Sequence, residues 1–249
     1  MKKLILISFL FLCFPFIHLR AQEATYVLVH GAWGGSWQFK NTAERLEKLG
    51  ANVYRVNLTG LGERYHLANP EVDLSTHIKD VINTILFERL DSVILMGHSY
   101  GGMVVTGVAD SIPEKIKKVL YLDAFVPEDG ESVAAYFKDN PSGSLLNSKD
   151  GTYVYPSWVK DTTEFPRDVP HPLASLKEII QLKNPKRLQI PSTYILTFES
   201  SQGGAEKDSF YFFSTRARKY NWKVIEMEAD HNPQIHKLED LVTILNNEK

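Results

Sequence analysis

The amino-acid sequence predicts an α/β fold with a mostly parallel central sheet and helices on both of its faces. Its 249 residues alternate short apolar runs, rich in β-branched residues, with longer helical stretches. The runs are apolar almost throughout, which is typical of parallel strands buried on both faces. Six strands of this kind are predicted, at 25–30, 52–58, 92–96, 118–122, 193–198 and 223–227. No repeated period interrupts them, so the chain is expected to form one α/β domain.

Between the strands, the spacing of apolar residues indicates helices that can cover the sheet. An amphipathic helix over residues 37–49 is followed by Gly50, and glycine is common where a helix ends. Residues 124–190 interrupt the alternation of strand and helix. This stretch is polar and rich in Pro and Gly, with a helical run at 173–182 but no clear strand.

A connection of this length is uncommon inside a compact domain and is often functional. We predict a lid insertion over about residues 126–190, after the strand that ends at Asp123. Its aromatic side chains either line a substrate pocket or only pack the insertion onto the core. These aromatic residues are Tyr136, Phe137, Tyr153, Tyr155 and Trp158.

The N-terminal segment differs from the rest of the chain. Lys2 and Lys3 precede an apolar run that is shorter than the roughly 20 residues needed to span a bilayer. This pattern predicts a signal peptide over residues 1–21 and an exported protein, periplasmic or secreted. No stable membrane anchor is expected after cleavage. The alternative is an uncleaved N-terminal anchor.

Charge and cysteine content limit the chemistry of the predicted domain, residues 22–249. Over all 249 residues, 28 Lys and Arg against 30 Asp and Glu give a formal net charge of −2, with no block of like charges, so no nucleic-acid partner is expected. The one cysteine, Cys13, lies in the predicted signal peptide. After cleavage the domain would have no disulfide, thiol nucleophile or cysteine-ligated metal. No metal or organic cofactor is implied.

A serine in a glycine-rich turn is the predicted nucleophile. Ser99 lies in the sequence GHSYGG, directly between the strand at 92–96 and a helical stretch. Glycines two residues before and two residues after the serine allow the sharp strand-to-helix turn of a nucleophile elbow. His98 is interpreted as structural, because the turn directs its side chain away from Ser99.

The serine hydroxyl needs a neighbouring imidazole to take its proton. His231 follows the last predicted strand and is therefore expected at the same edge of the sheet as Ser99. His236 lies further on, in the closing helix, and is interpreted as an exposed residue. Serine before histidine is the chain order of hydrolases built on this kind of elbow.

Acyl transfer also needs two preorganised N–H groups that stabilise the negative charge on the former carbonyl oxygen. The first strand ends in HGAWGG, a glycine-rich loop at the carboxyl end of the sheet. We predict that the backbone N–H of Ala32 is one donor and that of Tyr100 is the other. A plain glycine-rich turn is the alternative.

Five segments in combination resemble the α/β-hydrolase superfamily: HGAWGGSW, NLTGLGER, MGHSYGGMV, YLDAFVPEDGES and ADHNP. Within it, the chain is similar to the branch that holds bacterial carboxylesterases of the pyrethroid-hydrolase kind, plant methyl esterases and plant hydroxynitrile lyases. The resemblance spans nearly the whole chain after residue 21, although the insertion contributes little to it. It implies the α/β-hydrolase fold and a small-molecule ester as substrate.

Two positions separate this sequence from the lyases of that branch. The lyases carry a threonine where this sequence has Gly31 and a lysine where it has Asn232, and both groups handle cyanide chemistry. Dehalogenases and epoxide hydrolases of the fold use an aspartate nucleophile, unlike Ser99. The resemblance therefore implies a serine esterase for carboxylic esters, including lactones or ester-bearing xenobiotics. The alternatives are a non-catalytic small-molecule-binding protein on this scaffold and a C–C bond hydrolase or lyase.

The carboxylate that orients His231 departs from the pattern of the branch. Plant esterases carry an aspartate just after the strand that corresponds to 193–198, where this sequence has Ser200. The two main candidates here are Asp123, which ends the fourth strand, and Glu199; Asp208, or no acid at all, is the remaining alternative. Asp123 is preferred because the apolar residues after it can fix its carboxylate, whereas Glu199 precedes a flexible Ser- and Gly-rich stretch. A structural cap of the insertion is the alternative role of Asp123.

Overall fold

A computed structural model describes residues 23–138, 148 and 150–249. The predicted signal peptide, 1–21, lies outside the described residues, as do 139–147 of the predicted insertion. Within the described residues, no helix has the length and apolar character needed to cross a membrane.

The described strands are β1 Thr25–Val29, β2 Asn52–Val56, β3 Val93–His98, β4 Ile116–Leu122, β5 Tyr153–Val154, β6 His171–Pro172, β7 Ser192–Phe198 and β8 Lys223–Glu228. Six of them form one parallel sheet in the order β2-β1-β3-β4-β7-β8. These are the six predicted strands, and their ends differ from the predicted bounds by about two residues, the usual uncertainty of such bounds. The prediction of a parallel α/β sheet is confirmed.

The described helices are α1 Lys40–Lys48, α2 Leu74–Phe87, α3 Gly101–Ser111, α4 Val133–Lys138, α5 Leu173–Lys177, α6 Tyr211–Lys219, α7 Pro233–His236 and α8 Leu238–Asn247. The helix predicted over 37–49 begins as a 3-10 turn at Ser36–Phe39 and continues as α1. Asp73 caps α2, since its carboxylate accepts a hydrogen bond from the backbone N–H of Thr76 at 2.7 Å.

Two apolar cores lie on opposite faces of the sheet. Side chains of successive strand residues point to opposite faces, so Tyr26 and Leu28 of β1 pack with α1 and α8. Val27 and Val29 pack instead with α2, α3 and the insertion. Helices therefore cover both faces, as the uninterrupted apolar strands predict.

The insertion differs from the prediction in two ways. Residues 124–190 do contain strands, because β5 and β6 pair as a small antiparallel sheet, and two-residue strands are too short to show a pattern in the sequence. The helical run predicted at 173–182 ends at Lys177. Beyond it Glu178 accepts hydrogen bonds from Ser75, and the N–H of Ile180 donates to Glu131 O, so contacts with other segments replace those of a longer helix.

Candidate active site

Ser99 occupies the turn between β3 and α3 in a strained backbone conformation. Its φ is 54°, in the left-handed region that non-glycine residues rarely adopt. Two hydrogen bonds to the neighbouring segment hold the turn. The N–H of Ser99 donates to Leu122 O at 3.1 Å, and the N–H of Phe125 donates to Ser99 O at 3.1 Å. The surrounding fold thus stabilises a conformation that places the serine at the carboxyl edge of the sheet.

The two flanking glycines are needed because other backbone atoms approach them closely. A Cβ atom on Gly97 would lie 2.5 Å from the carbonyl oxygen of Gly101. One on Gly101 would lie 2.8 Å from the carbonyl oxygen of Val29. A side chain at either position would collide with backbone atoms that cannot move aside. This agrees with the prediction that the sharp turn requires glycine at both positions.

The structure brings His231 and Asp123 together by a direct hydrogen bond. His231 Nδ1 lies 2.6 Å from Asp123 Oδ2, and Asp123 is fully buried. The other carboxylate oxygen, Oδ1, accepts from the N–H of Thr197 at 3.2 Å. A bond at Nδ1 leaves Nε2 as the nitrogen available to another partner. Among the described residues no hydrogen bond joins Ser99 to His231, but both line the same cavity.

The rings of two residues, Phe210 and His98, pack against the imidazole of His231. Phe210 stacks on it, with ring centroids 4.9 Å apart and an interplanar angle of 18°. His98 packs against it at 4.7 Å, and His98 Nε2 donates to the carbonyl oxygen of His231 at 2.7 Å. His98 thus has the structural role that the sequence indicates. Phe210 was missed, because no local pattern links it to His231.

Nearby charges control the pKa of His231. Burial lowers it, but the hydrogen bond and charge of Asp123, with weaker effects of Asp208 and Asp230, hold it above 6.5. Burial and the charge of Asp123 raise the pKa of Asp208 to about 6. His231 is therefore surrounded by carboxylates that favour its protonated form.

Glu199, the alternative acid, is bound to a different partner. Its carboxylate accepts a hydrogen bond from the side chain of Gln202 and makes none with His231 in the described part of the chain. The stretch after Glu199, which was expected to be flexible, forms a 3-10 turn at Ser200–Gln202. The last residue of this turn, Gln202, is the one that binds the Glu199 carboxylate.

The two predicted oxyanion donors line the cavity beside Ser99. Ala32 lies in the loop after β1, and Tyr100 is the N-cap residue of α3. Within the described residues, neither backbone N–H donates to a protein acceptor. Both N–H groups are therefore free of protein acceptors in residues that line the cavity.

Trp33, next to Ala32, is bound to the insertion by all of its polar groups. Its backbone N–H donates to His171 Nδ1 at 3.1 Å, and its indole Nε1 donates to Val154 O at 2.9 Å. Its carbonyl oxygen accepts from the N–H of Val169 at 2.8 Å. Because Trp33 has a φ of 62°, these three bonds hold a strained residue in the loop that carries Ala32.

Buried histidines extend this network behind both donors. His171 accepts from Trp33 at Nδ1, so its Nε2 carries the proton and donates to Ser175 Oγ at 2.7 Å. His77 Nε2 donates to Thr59 O, which leaves Nδ1 to accept from the hydroxyl of Tyr100 at 2.8 Å. Burial lowers the pKa of His77 to about 4 and that of His171 well below 6.5. Both are neutral, structural histidines.

This network predicts the effect of removing one acceptor. His171→Leu should lower the rate at which Ser99 reacts with a p-nitrophenyl ester by about ten- to hundredfold, because the loop that carries Ala32 would shift relative to Ser99. His171→Asn should lose less of this rate, since the side-chain oxygen of asparagine can replace Nδ1 as the acceptor for the N–H of Trp33. Initial rates with both variants test this. Equal activity of the Leu variant and the unchanged protein would contradict it.

The cavity next to Ser99 has a volume of about 400 Å³ and a mostly apolar wall. Of the five aromatic residues for which lining and packing were left open, Phe137 and Trp158 line the cavity. Tyr136 packs instead against Phe125, with ring centroids 5.6 Å apart. Tyr153 and Tyr155 also lie outside its lining. The insertion thus forms part of the pocket wall and part of the core.

The family model described as "Alpha/beta hydrolase family" matches residues 26–243, which is most of the chain. The chain belongs to the α/β hydrolase family. This assignment agrees with the parallel sheet and with the strained serine between β3 and α3, and it confirms the resemblance seen in the sequence.

The chain is similar to a curated esterase over part of its length. It is 56% identical over 112 residues to the carbendazim hydrolyzing esterase of Nocardioides sp. (strain SG-4G), covering 45% of this chain and 46% of that protein. The chain thus matches less than half the length of this curated relative.

Solved structures match over a longer range. An extracellular α/β-hydrolase from a Paenibacillus species is 26% identical, with a TM-score of 0.74 over 89% of this chain and 97% of that one. The pyrethroid hydrolase PytH matches at 18% identity, with a TM-score of 0.73 over 90% of this chain and 96% of that one. The PytH match supports the shared fold alone.

Proposed function

We propose that this chain is a serine hydrolase that cleaves carboxylic esters through an acyl-enzyme on Ser99. One observation carries the proposal. His231 is bound through Nδ1 to the buried carboxylate of Asp123, so its Nε2 is left to take the proton of Ser99 in their common cavity. The similarity to an esterase of Nocardioides supports the same chemistry.

In the first half of the reaction, Ser99 Oγ attacks the ester carbonyl carbon while His231 Nε2 takes the hydroxyl proton. The carbonyl oxygen becomes an oxyanion, which the N–H groups of Ala32 and Tyr100 stabilise. Asp123 accepts the hydrogen bond from His231 Nδ1 and stabilises the imidazolium. Collapse of the tetrahedral intermediate breaks the bond to the alcohol oxygen, which takes the proton from His231 and leaves.

In the second half, water takes the place of the alcohol and attacks the carbonyl carbon of the acyl group bound to Ser99 Oγ. His231 takes a proton from this water and returns it to Ser99 Oγ as the acid is released. The same donors stabilise the second oxyanion. No group other than those of the chain and water is required for this cycle.

The alternative activities of the fold fit the site less well. A lyase of the related branch would carry threonine in place of Gly31, but a Cβ atom there would lie 3.0 Å from Ser99 Cβ and 3.1 Å from His98 Nδ1. A branched side chain would require both neighbours to shift. A binding protein without turnover would not need a strained serine and a paired His231 beside it.

Labelling with a fluorophosphonate probe tests the proposal directly. We expect a covalent adduct on the peptide that contains Ser99, located by mass spectrometry, together with release of p-nitrophenol from short-chain p-nitrophenyl esters. Esters of rising chain length then measure how much acyl group the cavity accepts. A protein that binds esters but is neither labelled nor active would be a binding protein.

Export also belongs to the proposal. The basic and apolar pattern of residues 1–21 supports a signal peptide, and one structural relative is extracellular. N-terminal sequencing of the protein recovered from the periplasm or medium tests it. We expect a chain that begins at Gln22, whereas a mature protein that retains residues 1–21 would indicate an uncleaved anchor.

The pH dependence follows from the charges around His231. The protonated imidazole cannot accept a proton from Ser99, so activity should rise with pH as His231 is deprotonated, with a midpoint above 6.5 because its pKa is raised. Asp208→Asn removes one of the carboxylates that raise this pKa, so it should move the midpoint to lower pH. Profiles of kcat/KM between about pH 5 and 10 measure both shifts.

The same profiles separate histidine from hydroxide as the base. Activity should reach a plateau once His231 is neutral. His98 does not titrate together with His231, since burial and the neighbouring His231 lower its pKa well below 6.5. A rate that climbs tenfold per pH unit beyond about pH 9 would indicate direct hydroxide attack.

A further inference from the structure

One carboxylate lies in the wall of the otherwise mostly apolar cavity. Asp168, from the insertion, lines the cavity together with Trp33, Trp158 and Gln38. Its Oδ2 accepts a hydrogen bond from the indole Nε1 of Trp158 at 2.7 Å, and its Oδ1 accepts a long one from Gln38 Nε2 at 3.4 Å. Both donors are neutral groups.

No cation of the described chain neutralises Asp168. It forms no ion pair there, although Arg167 is its neighbour in sequence. Arg167 donates to the backbone oxygen of Asp168 at 3.1 Å, and its guanidinium lies over the ring of Phe165, 4.9 Å from the centroid. The side-chain charge of Asp168 is thus left to face the cavity with two neutral partners.

Burial without a cation is unfavourable for a carboxylate. Burial raises the pKa of Asp168, and the hydrogen bond from Trp158 only partly opposes this effect. A carboxylate has about four lone-pair directions, of which two are used here. A positively charged ligand group would therefore be stabilised by Asp168 and would stabilise it in return.

The aromatic neighbours favour the same kind of ligand. The indole rings of Trp33 and Trp158 meet edge to face, with centroids 5.1 Å apart and an angle of 83°. Indole faces attract cations, and tryptophan does so most strongly of the aromatic side chains. Trp158 is 46% exposed, which places this part of the cavity next to solvent, where a charged group can enter.

We propose that Asp168, Trp33 and Trp158 form a subsite for a cationic nitrogen, so that the preferred substrates are esters with a positively charged amine away from the reacting carbonyl. This inference rests on the proposed esterase function of Ser99. The cavity of about 400 Å³ that holds both Ser99 and Asp168 suits a small to mid-sized ester. The apolar wall between them would contact the uncharged part of the substrate.

A pair of esters of the same shape, one charged and one neutral, tests the subsite. The benzoate of 2-(trimethylammonio)ethanol and the benzoate of 3,3-dimethylbutanol share shape and carbonyl group, but only the first carries a charge, and that charge does not titrate. The ammonium group also makes choline the better leaving group, so each kcat/KM is divided by the rate constant of that ester with hydroxide. We expect the corrected ratio to be about ten in favour of the charged ester, a size typical of cation–aromatic attraction strengthened by a carboxylate. A ratio near or below one in the unchanged protein would overturn the proposal without any variant.

Asp168→Asn then assigns the preference to the carboxylate. The amide keeps the shape of the side chain and can still accept from Trp158, so the ratio should fall from about ten to about two or less. Asp161→Asn is the matched control, since Asp161 is an exposed aspartate of the same insertion outside the cavity lining, and it should keep the original ratio. An unchanged ratio in Asp168→Asn would remove Asp168 from the subsite.

A second measurement separates failure of the subsite from failure of the esterase. Choline and 3,3-dimethylbutanol are compared as protectants of Ser99 against the fluorophosphonate probe. Labelling of Ser99 with equal protection by both alcohols would contradict the subsite and leave the esterase function standing. No labelling and no hydrolysis of either ester would contradict the esterase function, and with it the substrate class inferred here.

Discussion

Ser99→Ala and His231→Ala should each reduce ester turnover by several orders of magnitude while the protein remains folded. Nucleophile and base act as a unit, so removal of either leaves only the contribution of the oxyanion donors and of substrate binding. Ser99 lies in a turn held by bonds of its own backbone, to Leu122 and Phe125, which an alanine side chain does not disturb. Rates with a p-nitrophenyl ester and thermal unfolding of each variant measure the two effects separately.

Matched variants exclude a general effect of substitution. Ser200→Ala changes an exposed serine beyond β7, and His236→Ala changes an exposed histidine that pairs with Asp230 rather than with Asp123. Both should keep most of the activity. Retention of more than about a tenth of the rate by either primary variant would remove that residue from its proposed role, because triad losses are far larger.

Features that depend on local sequence could be predicted. The elbow was recognisable because its glycines stand within two residues of Ser99, and the structure shows the close backbone contacts that require them. The positions of His231 and Asp123 followed from one rule, that parallel strands bring their carboxyl ends to the same edge of the sheet. Their contact joins residues that are 108 positions apart, but the strand before each of them could be predicted from the sequence.

Features that depend on contacts between distant, irregular segments could not be predicted. Trp33 is bound to Val154 and His171, which are 121 and 138 positions away in the insertion. Neither partner lies in an element long enough to show a period, so no sequence pattern connects them. The stacking of Phe210 on His231 and the place of Asp168 in the cavity wall have the same origin.

The insertion does more than cover the cavity as a lid, because it also binds the loop after β1. Its residues accept or donate three hydrogen bonds at Trp33 and hold the loop that carries Ala32, one of the two proposed oxyanion donors. The same segment supplies Trp158 and Asp168 to the cavity wall. Substitutions in the insertion are therefore expected to change both the rate of the chemical step and the choice of substrate.

Asp123→Asn should lower turnover by on the order of a thousandfold or more, and Glu199→Gln should change it little. Asp123 is fully buried, and its Oδ2 lies 2.6 Å from His231 Nδ1, so an amide there would lose the charge that stabilises the imidazolium and could hold the wrong tautomer. Glu199 instead accepts from Gln202 at the end of β7. The turnover rate of each variant is measured, and thermal unfolding checks that each is folded. The two acids lie at the ends of the neighbouring strands β4 and β7, where Asp123 is buried and Glu199 is partly exposed.

The pH profile of Asp123→Asn distinguishes orientation of His231 from a purely structural cap of the insertion. Asp123 raises the pKa of His231 through its hydrogen bond and its charge, so the residual activity of the variant should have its midpoint at lower pH than that of the unchanged protein. A cap alone would alter stability and leave the midpoint in place. If Glu199→Gln lost the activity and moved the midpoint while Asp123→Asn did neither, the orienting acid would follow β7, and Asp123 would serve only the junction between β4 and the insertion.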